Sequence, residues 1–152
     1  MMIKNFKGFT LLELIIAIGV VGVLASLALP AFDTQMKNSR LVVNANSLVG
    51  ALGKAREEAS FRGLAVKVED SGNGWAVREV LSNDLIQQYE PDDSGLTWTP
   101  ASLADVTFNS TGFRPFGSAV VSVKLCDDRG QGREITISPA GSTSMNTSPT
   151  CP

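Results

Sequence analysis

Residues 8–13 read Gly8-Phe9-Thr10-Leu11-Leu12-Glu13, and they open an apolar run that continues to Leu29. Across the 21 residues from Phe9 to Leu29, Glu13 is the single charge. At 1.5 Å per residue, a helix of that length spans about 31 Å, close to the ~30 Å hydrocarbon core of a bilayer. A carboxylate is costly in such a span, so a lone acid there points to a function and a partner. Lys4 and Lys7 flank the run on one side and Asp33 follows its far end. The positive-inside rule then places the leader Met1–Gly8 in the cytoplasm and the remainder outside.

A short basic leader ending at Gly8, then Phe9, then an acid at Glu13: this arrangement resembles the type IV pilin-like proteins, the subunits of type IV pili and of type II secretion pseudopili. The resemblance implies that a prepilin peptidase cuts between Gly8 and Phe9 and N-methylates Phe9, so the apolar helix stays on the mature chain. It also implies a partner for Glu13, the N-terminal amine of Phe9 on a neighbouring subunit, which would set axial register during assembly. Before assembly the chain would wait in lipid as a single-pass inner-membrane protein with its head in the periplasm. An inner-membrane assembly platform would be a further partner.

The competing reading is an ordinary secretory signal peptide, cut after Ser26-Leu27-Ala28 to leave Leu29 first. That reading gives Glu13 no reason to lie inside the apolar region. For Glu13 alone, the plainer alternative is a charge that snorkels to the near interface. Gly22-x-x-x-Ser26, with Gly19 and Ala25, permits close helix approach, although small residues are common in membrane helices. Pro30 removes a backbone donor, which predicts a bend near Ala28–Pro30.

The chain has 152 residues, enough for one modest domain beyond the anchor. Without Lys4 and Lys7 the basic count falls from 13 to 11 against 15 acids, a balance of −4. Such a surface argues against sequence-blind attraction to nucleic acid. There is no histidine. Ser-His-Asp and Cys-His catalysis, His-ligated zinc and a histidine proton shuttle are therefore excluded. The two cysteines, Cys126 and Cys151, lie 25 positions apart. In an oxidising periplasm an even, widely spaced pair reads as a disulfide. A reactive or metal-binding thiol pair would want a neighbouring histidine or C-x-x-C spacing, and neither is there.

Beyond Pro30, Leu41, Ala45, Leu48, Leu52, Ala55 and Ala59 recur at alternating spacings of four and three, one stripe along a helix that should cover a sheet. Gly63 is the expected stop. From Phe9 to Arg62 such a helix would run roughly 80 Å. The period then changes. Leu64, Val66 and Val68 alternate with Ala65, Lys67 and Glu69; Asp70–Gly74 breaks the run, and Trp75–Val80 resumes it as a hairpin. Further strands are expected at Val106–Phe108, Ala119–Cys126 and Arg133–Ser138. Ser82–Ala104 reads as a long surface loop with room for one short strand, and little regular structure is expected from Gly141 on.

The resemblance narrows in four further stretches: Ala55–Gly63 at the helix end, Gly74–Val77, Val106–Gly112 and Arg133–Gly141. In that order they resemble the GspH/FimT group of minor pilins and pseudopilins, leaving Ser82–Ala104 unmatched. The cysteine placement is more like the pilus-associated members. Some of those bind DNA through a Gly-Arg-x-Arg arrangement after the last glycine, where this chain reads Gly141-Ser142-Thr143-Ser144. The phosphate and base contacts of two arginines are lost there. Arg114, Lys124, Arg129 and Arg133 could form another patch, but Asp127, Asp128 and Glu134 lie among them. Asp92-Asp93 and Asp127-Asp128 lack a calcium-loop pattern.

The expected fold class is α+β, the pilin fold, with a long N-terminal helix packed on an antiparallel β-sheet head. Its parts are a prepilin leader (1–8), a transmembrane and assembly helix (9–29), an amphipathic helix of the head (30–62) and a β-rich periplasmic head (63–152) with a disulfide-tethered tail. The expected role is a minor pilin-like structural subunit that primes a type IV pilus or type II secretion pseudopilus, or sits at its tip. Its partners would be other pilin or pseudopilin subunits, with no catalytic residues, metal or cofactor. The alternatives are the type II secretion minor pseudopilin H proper and a DNA-binding minor pilin for DNA uptake.

Overall fold

A long helix, α1 (Leu11–Arg62), leads the computed structural model, which describes residues 8–72, 74–90, 95–99, 106–147 and 150–151. The chain divides into two compact units, residues 1–37 and 38–152. In the first unit every large apolar side chain described is exposed. α1 continues through positions 28–30, where a bend was expected, and the side chains of Ala28 and Pro30 lie outside the described residues. In the second unit α1 is amphipathic: Leu41, Ala45, Leu48, Ala51, Leu52, Ala55 and Ala59 are all buried. The helix stops because Gly63 takes φ +67°, a left-handed conformation that closes the last turn, its N–H donating to the Ala59 carbonyl at 3.0 Å.

Eight strands follow: β1 (Val66–Asp70), β2 (Trp75–Glu79), β3 (Leu85–Tyr89), β4 (Leu96–Thr99), β5 (Val106–Phe108), β6 (Val121–Asp127), β7 (Gly132–Ile137) and β8 (Thr143–Asn146). They form two four-stranded antiparallel sheets, ordered β3-β2-β1-β5 and β4-β6-β7-β8. The expected hairpin is β1–β2, with Val68 opposite Val77 and Asp70 opposite Trp75. Inward residues of both sheets join the helix stripe in one buried cluster: Val66, Val68, Val77 and Phe108 from the first sheet, Val123, Leu125, Ile135 and Ile137 from the second. Trp75 of β2 and Trp98 of β4 meet edge to face, centroids 4.7 Å apart, which links the two sheets.

Two expectations are corrected. Ser82–Ala104 carries two strands where a loop with one was expected. β3 pairs with β2, and β4 crosses to pair with β6, Trp98 opposite Leu125. The tail beyond Gly141 also pairs: all four residues of β8 lie against β7. β3, β4 and β8 are edge strands. Each pairs on one side only, β3 and β8 with the strand just before them in sequence and β4 with the distant β6. The turn into β8 depends on Gly141, at φ +84°, where an added Cβ would lie 2.9 Å from Cε1 of Phe108.

Candidate functional site

The N-terminal segment presents Gly8 and Phe9 as exposed residues just ahead of α1, with Glu13 in the first turn. Glu13 has a local partnership the sequence reading missed. Thr10 N–H and Thr10 Oγ1 donate to Glu13 Oε2 at 3.0 and 2.9 Å, and Glu13 N–H donates to Thr10 Oγ1 at 3.2 Å. This is a reciprocal capping box, and the Thr-x-x-Glu spacing was visible in the sequence. Both residues lie after the Gly8–Phe9 bond, so the box would outlast cleavage there.

Behind the cap, α1 holds a window of mean hydropathy 2.5, the one helix among the described residues long and apolar enough to cross a membrane. It is apolar all round, and the chain's own fold covers none of that surface. Only lipid or other helices can shield it. A groove beside Gly19 is lined by Ile16, Val20, Val23 and Leu24. A Cβ added at Gly19 or Gly22 would meet nothing within 4 Å. The fold of the single chain therefore gives no reason for glycine at either place.

In the second unit, Cys126 near the end of β6 is bonded to Cys151, with Cα atoms 5.8 Å apart. The adjoining turn is organised by Asp127. Its Oδ1 accepts from the N–H groups of Arg129 and Gln131 at 2.9 and 3.0 Å, and its Oδ2 accepts from Arg129 Nε at 2.8 Å. Arg129 also donates to Asn38 Oδ1 at 2.8 Å. The candidate basic patch is not brought together. Arg114 donates to the carbonyls of Ala119 and Ser138, beyond the far end of β7, whereas Arg129 sits in the β6–β7 turn. Lys124 stands opposite Glu134, and Arg133 opposite Leu125. Among the described residues no group of three potential ligands could hold a metal ion, and Asp92-Asp93 lies outside them.

Two carboxylates tie the head electrostatically. Glu69 lies below its ordinary value of 4.5, first because Lys67 donates to it and then through Arg78, whose Nε is 2.9 Å away. For Asp127, burial raises the pKa, but Arg129 and the two backbone donors outweigh it and hold the group below 3.8. Depressed folded values mean that the unfolded chain binds more protons below about pH 4.5, so acid favours unfolding. The head's stability should be level above about pH 5 and fall as pH drops through 4. Urea unfolding from pH 6 to 3 measures this. A slope unchanged in Asp127→Asn would show that Asp127 is no contributor.

The sequence reading also missed an exposed apolar group where α1 ends in the second unit. Phe61, Leu64, Val80 and Leu81 are all solvent-facing, and Val80 N–H donates to Ala65 O, which brings the two segments together. An exposed apolar group at one end of a head is a candidate subunit contact.

The family model for the type II transport protein GspH matches residues 44–141, and that for the prokaryotic N-terminal methylation motif matches residues 3–29. Fimbrial protein EcpC of Eikenella corrodens is 40% identical over 58 residues, 38% of each chain. The type IV major fimbrial protein FimA of Dichelobacter nodosus is 29% identical over 119 residues, 78% of this chain and 62% of that one. The chain thus spans less than two thirds of the length of either relative. The crystal structure of type IV minor pilin FimU from Pseudomonas aeruginosa PAO1 shares the fold, with a TM-score of 0.57 and 20% identity, covering 75% of this chain and 92% of that one.

Proposed function

This chain belongs to the family of the type II transport protein GspH, and from that premise we propose that it is a minor pilin-like structural subunit that primes a type IV pilus or type II secretion pseudopilus, or sits at its tip. The observation that carries the reading is α1's first half, apolar on every side and covered by nothing in its own chain, behind a matched methylation motif. The likeness to proteins named as fimbrial supports it.

The parts divide as leader 1–8, assembly helix 9–29, head helix 30–62 and β-rich head 63–152. A prepilin peptidase cleaves between Gly8 and Phe9 and methylates Phe9. The subunit then waits in the inner membrane with its head in the periplasm. During assembly, neighbouring Phe9–Leu29 helices replace lipid, closing against Gly19 and Gly22, and Glu13 pairs with the Phe9 amine of the next subunit. The disulfide holds the tail, and the exposed group around Phe61, Leu64 and Leu81 contacts another subunit's head.

Mass spectrometry of the protein recovered from membranes tests the premise of this scheme. Methylated Phe9 is expected at the mature N-terminus. A chain beginning at Leu29 would have lost its assembly helix, and the proposal with it.

A further inference from the structure

A polar cavity of about 300 Å3 opens where Asn38 and Leu41 of α1 meet Gln131, Gly132 and Arg133 at the start of β7, and Thr147 just past β8. The function proposed above makes no use of it. Leu41 at its wall is buried, and the other side chains supply donors. Asn38 Oδ1 is occupied by Arg129, which leaves the Asn38 amide NH2 to donate. Among the described residues, the side chains of Gln131, Arg133 and Thr147 make no hydrogen bond or ion pair with the protein. Arg129 neutralises Asp127 in the same turn, so Arg133 is the cation left over there.

We propose that this cavity binds a carboxylate, with the Arg133 guanidinium as its two-pronged donor and Asn38, Gln131 and Thr147 as neutral donors around it. The planar fork of arginine matches a planar carboxylate through two parallel hydrogen bonds. Arg133 is a single cation, so it balances a singly charged carboxylate and leaves the second charge of a phosphate uncompensated. The carboxylate is either a free small molecule or an Asp or Glu side chain of an adjoining subunit. The second source rests on the filament reading; the first does not.

Arginine modification by phenylglyoxal, read by mass spectrometry on the full-length chain in detergent micelles, tests the site. Sodium acetate should slow modification of Arg133 about fivefold relative to sodium chloride at equal ionic strength, while Arg62 is unchanged. The doubly substituted Asn38→Ala, Thr147→Val protein, folded by circular dichroism, should lose most of that protection. Equal rates in acetate and chloride would overturn the site, as would protection by inorganic phosphate as strong as by acetate. In filaments washed free of small carboxylates, protection without added acetate assigns the source to an adjoining subunit. Full reactivity that acetate suppresses assigns it to a free ligand, and reactivity that acetate leaves unchanged counts against the site. Failure to form filaments would strike the filament reading alone, because the micelle measurement still decides the site.

Discussion

Glu13→Gln is expected to cut incorporation of this subunit into filaments at least about tenfold while leaving the start of the helix intact. Two tasks of this side chain, one observed and one proposed, can be tested apart. Within the chain, Glu13 Oε2 accepts from Thr10 and completes a capping box. Glutamine serves that task nearly as well, because its amide oxygen can accept the same bonds. The proposed task across subunits needs the negative charge. Once neighbouring helices have displaced lipid and water, a methylated amine facing a neutral amide is left uncompensated. Thr10→Ala reverses the separation, since it removes the cap and keeps the charge. The expected ranking is therefore wild type, then Thr10→Ala close behind, with Glu13→Gln far below. Subunit in sheared filaments is measured against the membrane pool, with the mature mass checked for each variant. Normal assembly of Glu13→Gln together with failure of Thr10→Ala would reduce Glu13 to a helix cap and remove the pairing.

The same residue shows what the sequence could and could not disclose. The lone acid inside an apolar run stands out by its cost and points to a distant partner, whereas its bonds to Thr10 three residues earlier are local and carry no such signal. The helix stripe was legible because 3.6-residue periodicity is local: Leu41, Ala45, Leu48, Leu52, Ala55 and Ala59 are all buried. β1 and β5 were legible for the same reason, with buried Val66, Val68, Val106 and Phe108 alternating with less buried neighbours, and β2 by its apolar start Trp75-Ala76-Val77, all three buried. β8, which reads Thr-Ser-Met-Asn, has no buried residue and no period to find. β3 and β4 lie within a stretch rich in Pro, Asp and Gly, and exist because β2 and β6 offer them free edges. The Arg133 cavity was beyond reach for a similar reason, since it joins positions 38, 41, 131–133 and 147. Pairing with another element decides each of these, nearby in sequence for β3 and β8 and distant for β4 and the cavity, and the residues of the strand alone do not display it.

Replacing both Cys126 and Cys151 by serine is expected to lower the stability of the head by about 3.5 kcal/mol, which for a unit of this size is a fall of roughly 10–15 °C in melting temperature. The bond closes a loop of 25 positions that contains β7 and β8. Opening it gives the unfolded chain back its loop entropy, and the chain-entropy relation yields the figure above. The structure adds where the loss should appear first. β8 has four exposed residues and a single partner strand, so little apolar burial holds it in place. β7 and β6 keep Ile135, Ile137, Val123 and Leu125 in the shared core whether or not the bond is present. Hydrogen exchange on the serine variant should therefore show Thr143–Asn146 losing protection well before β6, β7 or the α1 segment 41–59. Loss of protection throughout the head at once would mean that the tether secures the whole unit cooperatively. An unchanged melting temperature would mean that β8 and the tail are held by β7 alone, and the loop-entropy account would fail.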